Sequence, residues 1–110
     1  MRLYIAGPMT GLPEFNYPAF RDAEKHLRAA GFDVLNPISA EDHNPTPGQP
    51  QAWGWYMRHC LRMVLEAEGV ALLTGWSTSR GASLEHDVAS ALGLPVRLVP
   101  EWIAEAEAMK

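Results

Sequence analysis

The chain has one cysteine, Cys60, among its 110 residues, so no internal disulfide can form. A single thiol in a helical stretch reads first as an inert, partly buried group. The histidines, His26, His43, His59 and His86, show no HxxxH spacing, and no CxxC is present, so the pattern points to no metal site and no metal cofactor. Positive charge is scarce: nine Lys and Arg stand against 13 Asp and Glu, for a net charge of −4. No basic stripe is visible, which argues against binding a nucleic-acid polymer. A small nucleoside or nucleotide stays open, because it needs a pocket rather than a field. No apolar run approaches the roughly 20 residues that would span a bilayer. The first residues enter an apolar strand at once, without a signal-type stretch, and the expected location is cytoplasmic. Neither internal repeats nor low-complexity tracts occur. With 47% hydrophobic and 20% charged residues, the composition is that of a globular chain, read as a single domain over residues 1–110.

What is present is alternation. Residues 2–6 read as a buried strand, and the Gly- and Pro-punctuated segment from Gly7 to Pro13 as a loop. Pro18 suits the first turn of a helix that carries Phe20, Ala23, Leu27 and Ala30 on one face and stops at Gly31. Residues 32–35 form a second strand. Asn36-Pro37, Pro45, Pro47, Gly48 and Pro50 exclude helix and central strand from 36–50, and so long a loop is more often functional than neutral. A helix over about 52–67 follows. The continuous apolar run 69–73 is expected for a central parallel strand. A helix over 81–92, a strand over 95–99 and a short helix opened by Pro100 complete the order βαβαβαβα. Such an order gives an α/β fold with a parallel sheet and helices on both faces. Its ligand site lies at the carboxyl ends of the strands, where segments 7–16, 36–50 and 74–85 are expected to converge.

Glu85 is the residue out of place. On a helical wheel, Gly81, Ala82, Leu84, Val88, Ala89, Ala91 and Leu92 share an apolar arc, with Ser83, His86, Asp87 and Ser90 opposite. Glu85 falls inside the apolar arc, between Leu92 and Ala89. An ionised group buried without partners costs several kcal/mol or more, so its position needs a reason. A carboxylate held over a cavity beside the small side chains of Gly81 and Ala82 can attack an electrophilic carbon, and the anomeric carbon of a sugar is a natural target. The competing explanation is a structural ion pair, for instance with Arg58.

Other candidates gather around it. Ser77, Thr78 and Ser79 precede the helix. One of them caps it, and the helix start offers free N–H groups to a sugar hydroxyl or an anion. Gly7, Thr10 and Gly11 let backbone approach a ligand, although the loop matches neither the Walker nor the dinucleotide pattern. Trp76 either borders the pocket or caps the core. Trp53, Trp55 and Tyr56 either stack on a base or form an oligomer contact, with the contact preferred. Arg58 either pairs with Glu85 or a phosphate or lies on a solvated face. His86 lies on the polar arc and points away from Glu85.

The segments Tyr4-Ile5-Ala6-Gly7-Pro8-Met9-Thr10-Gly11, Asn16 with Phe20, Asn36-Pro37, Gly75-Trp76-Ser77-x-Ser79-x-Gly81-Ala82-x-x-Glu85 and Ala89 through Val96 together resemble the nucleoside 2-deoxyribosyltransferase superfamily. The resemblance covers nearly the whole chain. It implies a flavodoxin/Rossmann-like three-layer fold with four to five parallel strands. It also implies that Glu85 attacks C1′ of a nucleoside, releases the base and holds a glycosyl ester. By the same resemblance Gly7, Pro8, Met9, Thr10 and Asn16 shape the base or sugar pocket, and Ser79, Gly81 and Ala82 lie under the ligand. Homodimers or larger assemblies are implied as well. Two departures stand out. The Asp that helps handle the base in the transferases is Ser79 here. A carboxylate expected near the start of the third strand appears as Glu68. The expected function is cleavage or transfer at the N-glycosidic bond of a nucleoside or nucleotide, without an organic cofactor. The alternatives are a nucleotide-binding or sensing module in which Glu85 holds a ribose hydroxyl, and an oligomeric scaffold.

Overall fold

A computed structural model describes residues 1–109. Four strands, β1 (Arg2–Ala6), β2 (Asp33–Leu35), β3 (Gly69–Leu72) and β4 (Val96–Leu98), form one parallel sheet in the order β2-β1-β3-β4. The helices are α1 (Tyr17–Ala29), α2 (Trp53–Glu66), α3 (Arg80–Ala91) and α4 (Val99–Ala108). This is the three-layer, flavodoxin-like order expected from the alternation. The chain winds outward from β1 in both directions, so the loops leaving β1 and β3 part and open a crevice between them.

β1 organises both layers because successive side chains point to opposite faces. Leu3 and Ile5 join Phe20, Ala23 and Leu27 of α1 and Val99 and Trp102 of α4. Tyr4 and Ala6 face Cys60 and Val64 of α2 and Ala82 and Ala89 of α3. Each fully buried large side chain here stabilises the fold by roughly 1.5–3 kcal/mol. Trp102 locks α4 to the sheet, since its indole N–H donates to the Val70 carbonyl at 2.8 Å. Among the described residues no helix is long and apolar enough to cross a membrane.

The structure corrects two readings of the sequence. Residues Pro37–His43 are not an open loop but a run of 3-10 helix. Pro37 sits in its first turn, where a missing N–H costs nothing, and Asn36 caps it by accepting from the Ile38 N–H at 3.2 Å. The buried face of α3 is also narrower than the apolar arc. It consists of Ala82, Glu85 and Ala89, whereas Leu84, at 37% exposure, and Leu92, at 52%, face outward. The arc was broadened by apolar residues that α2 does not cover, and Glu85 is nearer the centre of the packed face than the wheel suggested.

Candidate active site

At the carboxyl ends of β1, β2 and β3 lies a cleft of about 460 Å³. All three converging segments contribute to it: Gly7, Met9, Thr10 and Phe15; Pro37, Ala40, Glu41 and residues 48–50; and Ser79, Gly81, Ala82 and Glu85. α2 supplies Trp53, Tyr56, Met57 and Cys60. Most of the lining is apolar, with aromatic rings from Phe15, Tyr17, Trp53 and Tyr56. No Lys or Arg lines the cleft among the described residues.

Glu85 is 5% exposed and reaches the cleft from the first turns of α3. Its partner is Tyr4, which is wholly buried and donates its hydroxyl to Glu85 Oε2. Burial pushes the Glu85 carboxyl up to about 7, against the opposing pull of hydrogen bonds from Tyr4 and Cys60. Burial, with the nearby Glu85 charge, pushes the Cys60 thiol up to about 12, so the thiol serves as a donor rather than a nucleophile. The Tyr4 hydroxyl is raised for the same reasons, burial first, and stays protonated. Among the described residues no ion pair engages Glu85, and Arg58 is exposed on α2. The structural ion pair with Arg58 is therefore absent, and a buried carboxyl is poised to ionise near neutrality beside an open cleft.

Close packing shapes this wall. A Cβ on Gly7 would meet Leu73 Cβ at 2.7 Å, so only glycine lets the ends of β1 and β3 lie so near each other. A Cβ on Gly81 would stand 3.2 Å from Met57 Sδ, so this position sets the spacing of α3 and α2 over the cleft. Ser79 is the helix cap, accepting from the Ala82 N–H at 3.2 Å.

The family model described as a domain of unknown function (DUF4406) matches residues 1–98. The chain belongs to that family. No curated protein matches this DUF4406 member. Solved structures do. A 2-deoxyribosyltransferase of the psychrotolerant bacterium Bacillus psychrosaccharolyticus is similar with a TM-score of 0.67 and 22% identity, covering 89% of this chain and 71% of that one. A 2-deoxyribosyltransferase from Leishmania mexicana is similar with a TM-score of 0.63 and 15% identity, covering 86% and 61% respectively. The DUF4406 chain thus has a nucleoside 2-deoxyribosyltransferase-like fold.

Of the candidates named from sequence in this DUF4406 member, Glu85, Gly7, Met9, Thr10, Ser79, Gly81 and Ala82 line the cleft. The others stand elsewhere. Pro8 lies against Gly75, which takes a φ of +86° at the end of β3. Asn16 donates to the Pro8 carbonyl at 2.9 Å and tethers the loop from beneath rather than facing the cleft. Trp76 stacks on His86 at 4.5 Å, and both lie outside the lining. Ser77 is exposed, and its carbonyl accepts from the Ser83 hydroxyl. Arg58 is exposed and does not line the cleft. Glu68 sits at the amino end of β3, accepting from the Arg2 N–H at 2.9 Å, so it lies at the opposite edge of the sheet and replaces no cleft carboxylate.

Trp53 and Tyr56 face the cleft, as base stacking would require, whereas Trp55 packs on Tyr56 and His59 instead. Sequence reasoning missed Tyr4, Cys60, Met57 and Glu41. For Tyr4 the signal was available: it alternates with Leu3 and Ile5 on a strand whose other face is wholly apolar. Glu41 had no such signal, because it depends on an irregular segment.

Proposed function

We propose that this cleft breaks, and then remakes or hydrolyses, the N-glycosidic bond of a (deoxy)nucleoside or nucleotide, with Glu85 as nucleophile. The observation that carries the reading is a buried carboxyl held by Tyr4 at the floor of an aromatic-walled cleft on this fold. One Glu85 oxygen attacks C1′, and the glycosidic electron pair leaves with the base, which takes up a proton from solvent water. The product is a glycosyl ester on Glu85. A second base or water then attacks C1′ and frees the carboxylate. Tyr4 fixes the carboxylate's direction. Trp53 and Tyr56 offer faces for a flat ring. Gly81 and Ala82, with the start of α3, form the floor under the sugar. Ser79 is occupied as the cap and supplies no acid. The largely apolar lining suits an uncharged nucleoside, and Arg80, stacked 3.9 Å over the ring of the lining residue Trp53, is the basic group beside it. A homodimer or larger assembly in a cytoplasmic setting belongs to the same reading.

Incubation with deoxynucleosides and their monophosphates, followed by chromatography for free base, tests it. Base release that vanishes in Glu85→Gln, with a sugar adduct on Glu85 seen by mass spectrometry of the quenched wild type, is the expected result. Undiminished release by Glu85→Gln sinks the assignment. Saturable binding without release in either protein would instead make the chain a nucleoside sensor.

A further inference from the structure

Glu41 is the other carboxylate of the cleft. It follows β2, whereas Glu85 follows β3, and β1 runs between those strands. The two strands are two spacings apart, about 10 Å, the width over which a sugar and a flat ring can lie side by side. Glu41 is half-buried and firmly oriented. Asn44 Nδ2 donates to its Oε1 at 2.7 Å, and the Tyr56 hydroxyl donates to its Oε2 at 3.3 Å. Asn44 is itself buried and fixed, donating to the Gln49 carbonyl and accepting from the Thr46 N–H and the Gln51 amide. A carboxylate offers about four acceptor positions. Among the described residues the protein fills two, and Glu41 lines the cleft with the others unfilled.

We propose that Glu41 selects the base, and that the base it selects presents two adjacent N–H donors on its edge, as a 2-amino-6-oxopurine does through N1–H and the 2-amino group. The inference rests on the glycosyl-transfer reading of the cleft. A carboxylate pairs bidentately with two parallel donors. Adenine sets the N1 lone pair, and cytosine the N3 lone pair, against the same oxygens and is repelled. A 6-oxopurine without the amino group keeps one donor and ranks between them. Arg80 covers one face of Trp53 at 3.9 Å; stacking on its other face or on Tyr56 accepts any base, so discrimination falls to Glu41.

The test compares deoxyguanosine, deoxyinosine, deoxyadenosine and deoxycytidine on the wild type and on Glu41→Gln, by base release and by calorimetric binding to the Glu85→Gln protein. Gln presents one acceptor and one donor, matching the adenine edge. The wild type should favour deoxyguanosine over deoxyadenosine by about tenfold to a hundredfold, and Glu41→Gln should reverse or erase that ratio. A purely structural Glu41 would lower all substrates together and leave the ratio unchanged, which overturns the proposal. So does a wild type without preference. Tyr56→Phe, which loosens Glu41 but keeps its charge, should narrow the ratio without inverting it. Binding with the expected ratio but no base release retires the catalytic reading and keeps Glu41 as the selector. No binding of any of the four retires both.

Discussion

Glu85 is held by regular secondary structure, whereas Glu41, across the same cleft, is held by side-chain hydrogen bonds within an irregular segment. Around Glu85 the neighbours come from β1, α2 and α3, and the positions are fixed by core packing. Around Glu41 they come from a 3-10 run and the Pro-rich stretch after it, fastened by Asn44. One wall is rigid at the expense of burying a carboxyl. The other is fastened by side-chain hydrogen bonds and open to change. A reactive group needs placement to a fraction of an ångström, and packed elements provide it. A group that chooses among substrates gains from a loop whose sequence can vary without disturbing the core.

Removing the proposed nucleophile should separate the walls most sharply. Glu85→Gln keeps the shape of the cleft and should lower the rate of base release about a thousandfold or more. Substrate binding should weaken far less, because the opposite wall is intact. Single-turnover rates beside calorimetric affinities check this. Comparable losses in both would mean that Glu85 holds the ligand rather than attacking it.

The same substitution should raise stability. The Glu85 carboxyl moves from an ordinary 4.5 in the unfolded chain to about 7 in the fold. Between those values the folded state holds a proton that the unfolded state has lost, so stability falls as pH rises from about 4.5 to 7 and is level above. The cost at pH 8 is about 3 kcal/mol. Glu85→Gln should recover most of it at pH 8 and show no such slope in chemical denaturation across that range. On the proposed mechanism the sign for the rate is opposite: attack would need the carboxylate, so the wild-type rate should climb with pH and level off above about 7.

The strand and helix order, the crossover edge and the misplaced carboxylate were all legible in the sequence, because each rests on periodicity or on Gly and Pro punctuation. Glu85 was visible because a helix wheel has only one inside. Tyr4 was legible in part. Its strand alternates, but nothing local says that its hydroxyl meets a residue 81 positions later. Glu41, Asn44 and Gln51 were hidden. Their contacts follow from loop geometry that no period encodes, and Pro37, one of the prolines that seemed to forbid order, in fact begins a 3-10 run. Pro8, Asn16, Trp76 and Ser77 belong to motif segments, yet they support the turns behind the cleft rather than line it.

Tyr4→Phe sharpens the rigid wall. The hydroxyl draws the Glu85 carboxyl down, so its removal should drive that carboxyl further up. The plateau of the pH–rate profile should move to higher pH while KM stays within about twofold, since Tyr4 meets the carboxyl rather than the base. An unshifted profile would separate the measured ionisation from Glu85.

Asn44→Ala breaks the other wall. It removes the donors to Glu41 and the Gln49 carbonyl and the acceptor for Thr46 and Gln51. The loss should be about 1–3 kcal/mol of stability. The kinetic effect should appear in KM and in base preference, with little change in the single-turnover rate at saturation. A fall in that rate alone would show that the irregular wall also positions the reacting atoms.

The smallest effect is expected where the strand loop crosses from one wall to the other. Glu14, Phe15 and Asn16 take φ values of 53°, 53° and 60°, three successive left-handed residues without a glycine. Each such residue costs about 1 kcal/mol, and the 61%-exposed Phe15 within this turn lines the cleft. Glu14 is exposed, and among the described residues its side chain makes no hydrogen bond or ion pair. Glu14→Gly should therefore relieve strain, offset in part by the greater freedom that glycine gives the unfolded chain. A net gain of about 0.5 kcal/mol is expected, read as a small rise in melting temperature. If Phe15 acts as a cover held by that strain, the same variant should bind nucleoside more weakly although it is more stable. Higher stability with unchanged affinity would make the left-handed turn a simple connection between β1 and α1, and the cleft would then rest on its two unlike walls alone.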